Sequence, residues 1–162
     1  MIKVFPRLQT VWLGQLPKLV RFCCGDYIEF PMLSTLQIEE CPQFTAFVSN
    51  EVNGVVHDVP CLFNDKVSYV QLERLRQLKS FYPSMHTTEW PALKELEVKA
   101  YSNVKVFAPK NLNSQPDTLT GTEQPLFWFS KDAFPCLEVF DTDQADAMEI
   151  FKLNKNQEST IR

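Results

Sequence analysis

The chain has 162 residues, 44% apolar and 22% charged, the composition of a soluble globular protein with one domain's worth of sequence. Its formal charge of −4, with 16 basic residues spread along its length, argues against a nucleic-acid module, which needs clustered Lys and Arg to displace counterions. No apolar run approaches the ~20 residues that span a bilayer, and Met1 to Gln15 lacks the basic start, apolar stretch and small-residue cleavage site of a leader, so a cytoplasmic chain with no integral membrane segment is expected.

Read from the N-terminus, one pattern of apolar residues recurs. Phe5, Pro6, Leu8, Val11, Leu13, Leu16, Pro17, Leu19 and Phe22 open it, and Phe30, Pro31, Leu33, Leu36, Ile38, Cys41, Pro42, Phe44 and Phe47 repeat the same offsets 25 residues later. A third copy near Asn64 keeps Val67, Val70, Leu72, Leu75, Leu78 and Phe81 without the Phe-Pro opening. The fourth carries Trp90, Pro91, Leu93, Leu96, Val98, Tyr101, Val104 and Phe107; the fifth carries Phe134, Pro135, Leu137, Phe140, Thr142, Ala145, Met148 and Phe151. Copies thus start near 5, 30, 64, 90 and 134, at spacings of 25, 34, 26 and 44 residues.

Within each copy the x-L-x-L alternation predicts a short strand, because successive strand side chains point to opposite faces. Strands are expected at Thr10 to Leu13, Thr35 to Ile38, Tyr69 to Leu72, Glu95 to Val98 and Val139 to Thr142. No copy can bury its own inner side, so neighbours must stack into one parallel sheet. Residues 48–65, with Asn53-Gly54 as a turn, and residues 109–127, rich in Asn, Ser, Thr, Gly and Pro, read as loop insertions. Residues 152–162 read as a polar tail. The whole of 1–162 is expected to be a single segment, and the lack of a polar cap before the first copy suggests a piece of a longer array.

The short spacings and the L-x-x-L-x-L-x-x-(N/C) pattern are similar to the leucine-rich repeat. They imply an α/β leucine-rich-repeat solenoid of about five irregular repeats with a curved parallel sheet on its concave face. The narrower form F-P-x-L-x-x-L-x-L-x-x-(L/C)-P-x-L-x-x-F, carried by Phe5 to Phe22, Phe30 to Phe47, Leu72 to Phe107 and Gln124 to Phe151, resembles the C-terminal repeats of plant intracellular nucleotide-binding disease-resistance proteins of the coiled-coil class. The resemblance implies a non-enzymatic protein-recognition segment in plant defence. Its implied partners are a pathogen effector, a guarded host protein or the upstream nucleotide-binding domain of a parent receptor, which it would hold inactive. It also implies a cytoplasmic location, or a peripheral one at the plasma membrane through that receptor. The alternative is a truncated orphan product with a structural or regulatory role, or none.

Residues able to carry chemistry are sparse. Four dispersed glycines, Gly14, Gly25, Gly54 and Gly121, offer no phosphate-binding loop. His57 and His86 stand at no metal-ligand spacing, and His57, Asp58 and Cys61 lie in a Pro-containing loop with no rigid platform for a nucleophile. Cys23-Cys24 lacks the two-residue spacer of a redox pair, and Cys41 falls in a slot that takes a small buried side chain. The five cysteines cannot all pair within the chain. No catalytic, metal or cofactor residue is expected. The surface that the pattern defines is the outward side of the sheet. There Thr10, Trp12, Gln37, Glu39, Tyr69, Gln71, Glu73, Glu95, Glu97 and Asp141 form a candidate protein-binding face. With Glu40 and Asp143 it carries seven acids against two bases, Arg74 and Lys99, and should attract a basic partner.

Overall fold

The computed structural model describes residues 2–24, 27–49, 51–52, 55–56, 65–79, 89–100, 106–109, 126–129 and 133–158. In chain order the strands are β1 (Ile2–Val4), β2 (Thr10–Gly14), β3 (Arg21–Cys24), β4 (Tyr27–Glu29), β5 (Thr35–Glu39), β6 (Ala46–Ser49), β7 (Glu51–Val52) and β8 (Val55–Val56). They continue with β9 (Tyr69–Glu73), β10 (Glu95–Lys99), β11 (Phe107–Pro109), β12 (Phe127–Phe129) and β13 (Val139–Thr142), and the helix α1 (Ala145–Glu158) follows.

Five of these strands form the main sheet, in the order β13-β10-β9-β5-β2. Every pair in it is parallel and in register, so Val11, Leu36, Val70, Leu96 and Phe140 stand side by side. The rung two residues on holds Leu13, Ile38, Leu72, Val98 and Thr142. Parallel strands need crossover connections, and here the connections carry the two-stranded parallel pairs β3 with β6 and β11 with β12, while β4 pairs with β1, which precedes the first sheet strand.

The core lies on one side of the sheet. Leu33, Leu36, Ile38, Val67, Val70, Leu72, Leu96 and Val98 are fully buried there. Phe22 stacks on Phe47 at 4.9 Å between ring centroids, and Phe107 meets Phe140 at 4.7 Å. At the C-terminal end Ala147 and Phe151, one helical turn apart, bury against the sheet, with Phe151 5.5 Å from Phe140.

Recurring backbone hydrogen bonds hold the strands in register. The Phe-Pro dipeptides open β-turns with proline second, in which Leu8, Leu33 and Leu137 donate N–H to the carbonyls of Phe5, Phe30 and Phe134; Trp90-Pro91 does the same for Leu93. Before each strand one carbonyl accepts two amides: Gln9 from Ser34 and Thr35, Ser34 from Ser68 and Tyr69, Ser68 from Lys94 and Glu95, Lys94 from Glu138 and Val139. After each of the first four sheet strands the chain turns through a left-handed residue: Gln15 (φ 55°), Glu40 (50°), Arg74 (55°) and Ala100 (49°). The N–H groups of Gln15, Glu40 and Arg74 donate to the carbonyls of Glu39, Glu73 and Lys99 on the neighbouring strand.

The structure corrects the leucine-rich-repeat solenoid expected from the spacing. A solenoid of that kind repeats one unit with one return path, whereas the connections here differ in length and content. The segment between β2 and β5 carries β3 and β4, that between β5 and β9 carries β6 and the antiparallel pair β7–β8, and that between β10 and β13 carries β11 and β12. The observed architecture is a small α/β fold, a five-stranded parallel crossover sheet with one C-terminal helix. Two smaller expectations also change. The predicted polar tail is helical as far as Glu158, and the segment read as a plain loop at 48–65 contains the antiparallel pair β7–β8. Residues 53 and 54 themselves, and most of 109–127, lie outside the described residues.

Candidate functional site

The side of the sheet opposite the core presents three rows of side chains. The first reads Thr10, Thr35, Tyr69, Glu95, Val139; the second Trp12, Gln37, Gln71, Glu97, Asp141; the third Gly14, Glu39, Glu73, Lys99. All ten residues named as the candidate face lie in these rows. The alternation puts them there: in Thr35–Glu39 and Tyr69–Glu73 each fully buried core residue is flanked by half-buried polar ones.

Neighbouring side chains are tied to one another across the strands. Trp12 Nε1 donates to Glu39 Oε1 at 2.9 Å, and Gln37 Nε2 donates to Gln71 Oε1 at 2.9 Å. Gln71 Nε2 donates in turn to Glu73 Oε2 at 3.2 Å, while the Tyr69 hydroxyl donates to Gln71 Oε1 at 3.4 Å. The Trp12 ring lies over Gly14, where an added Cβ would come within 3.0 Å of the indole. Glycine at that position lets the ring lie flat and reach Glu39. Trp12 nonetheless remains 64% exposed.

Both bases are engaged. Arg74 Nη1 meets Glu40 Oε1 at 2.6 Å and its Nε is 3.7 Å from Glu73, and Lys99 Nζ meets Asp141 Oδ2 at 2.5 Å. The hydrogen bond to Asp141 holds the Lys99 ammonium above its usual range. Burial raises the Tyr69 hydroxyl, and the charge of Glu97 beside it adds to the shift. The three rows carry five acids, Glu39, Glu73, Glu95, Glu97 and Asp141, against one base, Lys99, an excess of four negative charges. The sequence placed Lys99 on this face as one of its two bases, without a partner. It stands at the strand offset of Glu39 and Glu73, and the structure pairs it with Asp141. Asp143, read as a second outward acid on the last strand, instead lies just beyond β13 and accepts the Ala100 N–H at 2.8 Å.

Elsewhere the thiol of Cys41 is buried, 3.3 Å from the Glu39 carbonyl and 3.7 Å from that of Leu13. Burial pushes its pKa up, partly offset by a backbone hydrogen bond from Leu16, so it is no reactive thiolate. His57, Asp58, Cys61 and His86 lie outside the described residues, as do the side chains of Cys23 and Cys24. Among the described residues no group of three or more His, Cys, Asp or Glu could hold a metal ion, and no helix is long and apolar enough to cross a membrane.

By class, then, the chain is a small α/β protein whose parallel crossover sheet is buried on one side and presents acidic rows on the other. No family model, no curated protein and no solved structure matches it. The five-stranded parallel crossover sheet with its C-terminal helix corrects the resemblance to plant disease-resistance repeats. With the fold against it, the defence role, the orphan-repeat alternative, the pathogen and guarded-host partners and the contact with a nucleotide-binding switch domain have no support.

Proposed function

We propose that the chain is a binding module without a catalytic step, and that the open side of its sheet takes a basic polypeptide segment. The observation that supports this is the arrangement of carboxylates in register on one rigid surface. Glu95 and Glu97 on β10 adjoin Asp141 on β13 and Gln71 and Glu73 on β9, and Lys99 and Arg74 neutralise only part of the charge. The hydrogen bonds among Gln37, Gln71 and Glu73 fix side chains that would otherwise lose freedom on binding, which lowers the entropic cost of association. Trp12 supplies an exposed aromatic anchor of the kind that dominates interface energetics. We place the chain in a reducing compartment such as the cytoplasm, a reading supported by the free exposed thiol of Cys136.

Titration of the protein with a lysine- and arginine-rich peptide, followed by Trp fluorescence or calorimetry, tests the reading. Binding should weaken steeply with added salt and fall about three- to tenfold in Glu95→Gln/Glu97→Gln, since each exposed charge pair contributes roughly 0.2–1 kcal/mol. Equal affinity for an acidic peptide, or an affinity unmoved by that double substitution, would remove the acidic face from consideration.

A further inference from the structure

The N-terminal edge of the sheet differs from the rest in a way the acidic face does not use. β2 ends the strand order, so one side of its backbone has no neighbour among the described residues. Gln9 accepts from Thr35 and Gln15 donates to Glu39, so by parallel alternation Val11 and Leu13 bond toward β5. The N–H and C=O groups of Thr10, Trp12 and Gly14 therefore point away from the sheet. Among the described residues, the side chains at this end are less covered than their counterparts in the next copy. Phe5 is 44% exposed and Leu16 39%, whereas Phe30 and Cys41, at the same offsets in the next copy, are 2% and 0% exposed.

β2 also lacks the devices that keep an edge strand from pairing. Thr10–Gly14 contains no charge, no proline and no bulge, while β5, β9, β10 and β13 each carry at least one acid. We propose that two copies of this chain associate through β2, paired antiparallel about a two-fold axis at Trp12. In that register Thr10 faces Gly14 of the second copy, Val11 faces Leu13, and Trp12 faces Trp12. Apolar side chains meet apolar ones on the core side and the smallest residue meets a small one on the open side, while each Trp12 ring stays folded over its own Gly14 toward Glu39. The other end of the core is covered by α1, whose Ala147 and Phe151 are buried, so head-to-tail continuation is disfavoured and the open end pairs with itself. Such a contact is isologous and closes as a dimer.

Sedimentation equilibrium and light scattering of the full chain over a wide dilution series test this. The mass should rise from 18.8 kDa to twice that value and no further. Trp12→Lys places a charge on the edge, and Thr10→Pro removes an outward N–H that makes no bond within the sheet. Either variant should stay monomeric with unchanged helix signal and thermal unfolding, and if Trp12→Lys fails to fold, Thr10→Pro decides. A native chain that is monomeric at every concentration overturns the proposal. So does association that survives both substitutions, or growth beyond two copies. The mass series is run without peptide and the titration is read through Glu95 and Glu97 on β10, so failure of one leaves the other standing; Trp12 belongs to both surfaces, and Thr10→Pro leaves its side chain in place.

Discussion

Four residues beside the sheet adopt a backbone conformation that costs non-glycine side chains energy. Gln15, Glu40 and Arg74 have polar side chains that can interact at the sheet end, and Arg74 and Glu40 form an ion pair there. Ala100 has the strain (φ 49°) and an exposed methyl with no such partner. Ala100→Gly should therefore raise stability by about 1 kcal/mol, read from the chemical denaturation midpoint at unchanged slope. A second residue-level expectation concerns alkaline pH. Tyr69 is raised above its usual 10.0 by burial and then by Glu97, and Lys99 above 10.5 by its hydrogen bond to Asp141. In both cases folding favours the protonated form, so their contribution is complete below the ordinary values and is lost as pH rises through the raised ones. Thermal unfolding followed across this window should fall above about pH 10. Tyr69→Phe and Asp141→Asn should each flatten part of that fall, and an unchanged slope in both would show that neither group is linked to folding.

At the scale of elements, the strands were legible and the helix was not. The x-L-x-L alternation placed all five sheet strands to within one residue, because inward Leu, Ile and Val cannot be exchanged with outward polar residues without turning the core to solvent. Leu36→Ala and Leu96→Ala, both at 0% exposure, should each cost about 2–5 kcal/mol and shift the thermal midpoint accordingly. The helix escaped notice because Ala145, Met148 and Phe151 fit the apolar offsets of a fifth copy. Only their neighbours reveal the helical period, with Ala147 and Phe151 inward and Leu153 64% exposed. Asp146 in its first turn and Lys155 in its last complement the helix dipole, and Lys155 also caps the Glu138 carbonyl at 3.1 Å. At its start Asp143 accepts the Ala100 N–H that a longer β13 would have bound through a carbonyl. Asp143→Ala should cost about 0.5–1.5 kcal/mol by denaturant titration, and Asp143→Asn should recover part of it. The polar contacts of the open face were legible only as positions: a sequence shows that Gln37 and Gln71 share a row, not that they bond at 2.9 Å.

Across the described residues, burial is deepest in the middle strands of the sheet and falls toward both edges, most at β2. Leu8, Leu13, Leu19 and Phe22 are only partly buried beside β2, while β5, β9 and β10 hold fully buried side chains. Amide hydrogen exchange should follow that gradient, with β9 slowest and β2 fastest in the dilute monomer. Uniform protection across the sheet would mean that it opens as one unit. The recurrence that made the strands visible also misled the wider reading, because apolar offsets constrain only which residues enter the core and leave the connecting paths free to differ. That freedom has a consequence for how the chain can change length. Each strand is fixed at its start by a doubly accepting carbonyl and, for the first four, at its end by a left-handed residue, so register does not depend on what lies between. Added residues in a connection cost only loop-closure entropy, about 0.6 kcal/mol for each doubling. Starts 25 and 44 residues apart thus reach the same zero-offset pairing, and the intervals between rungs are natural places to graft foreign sequence without disturbing the sheet.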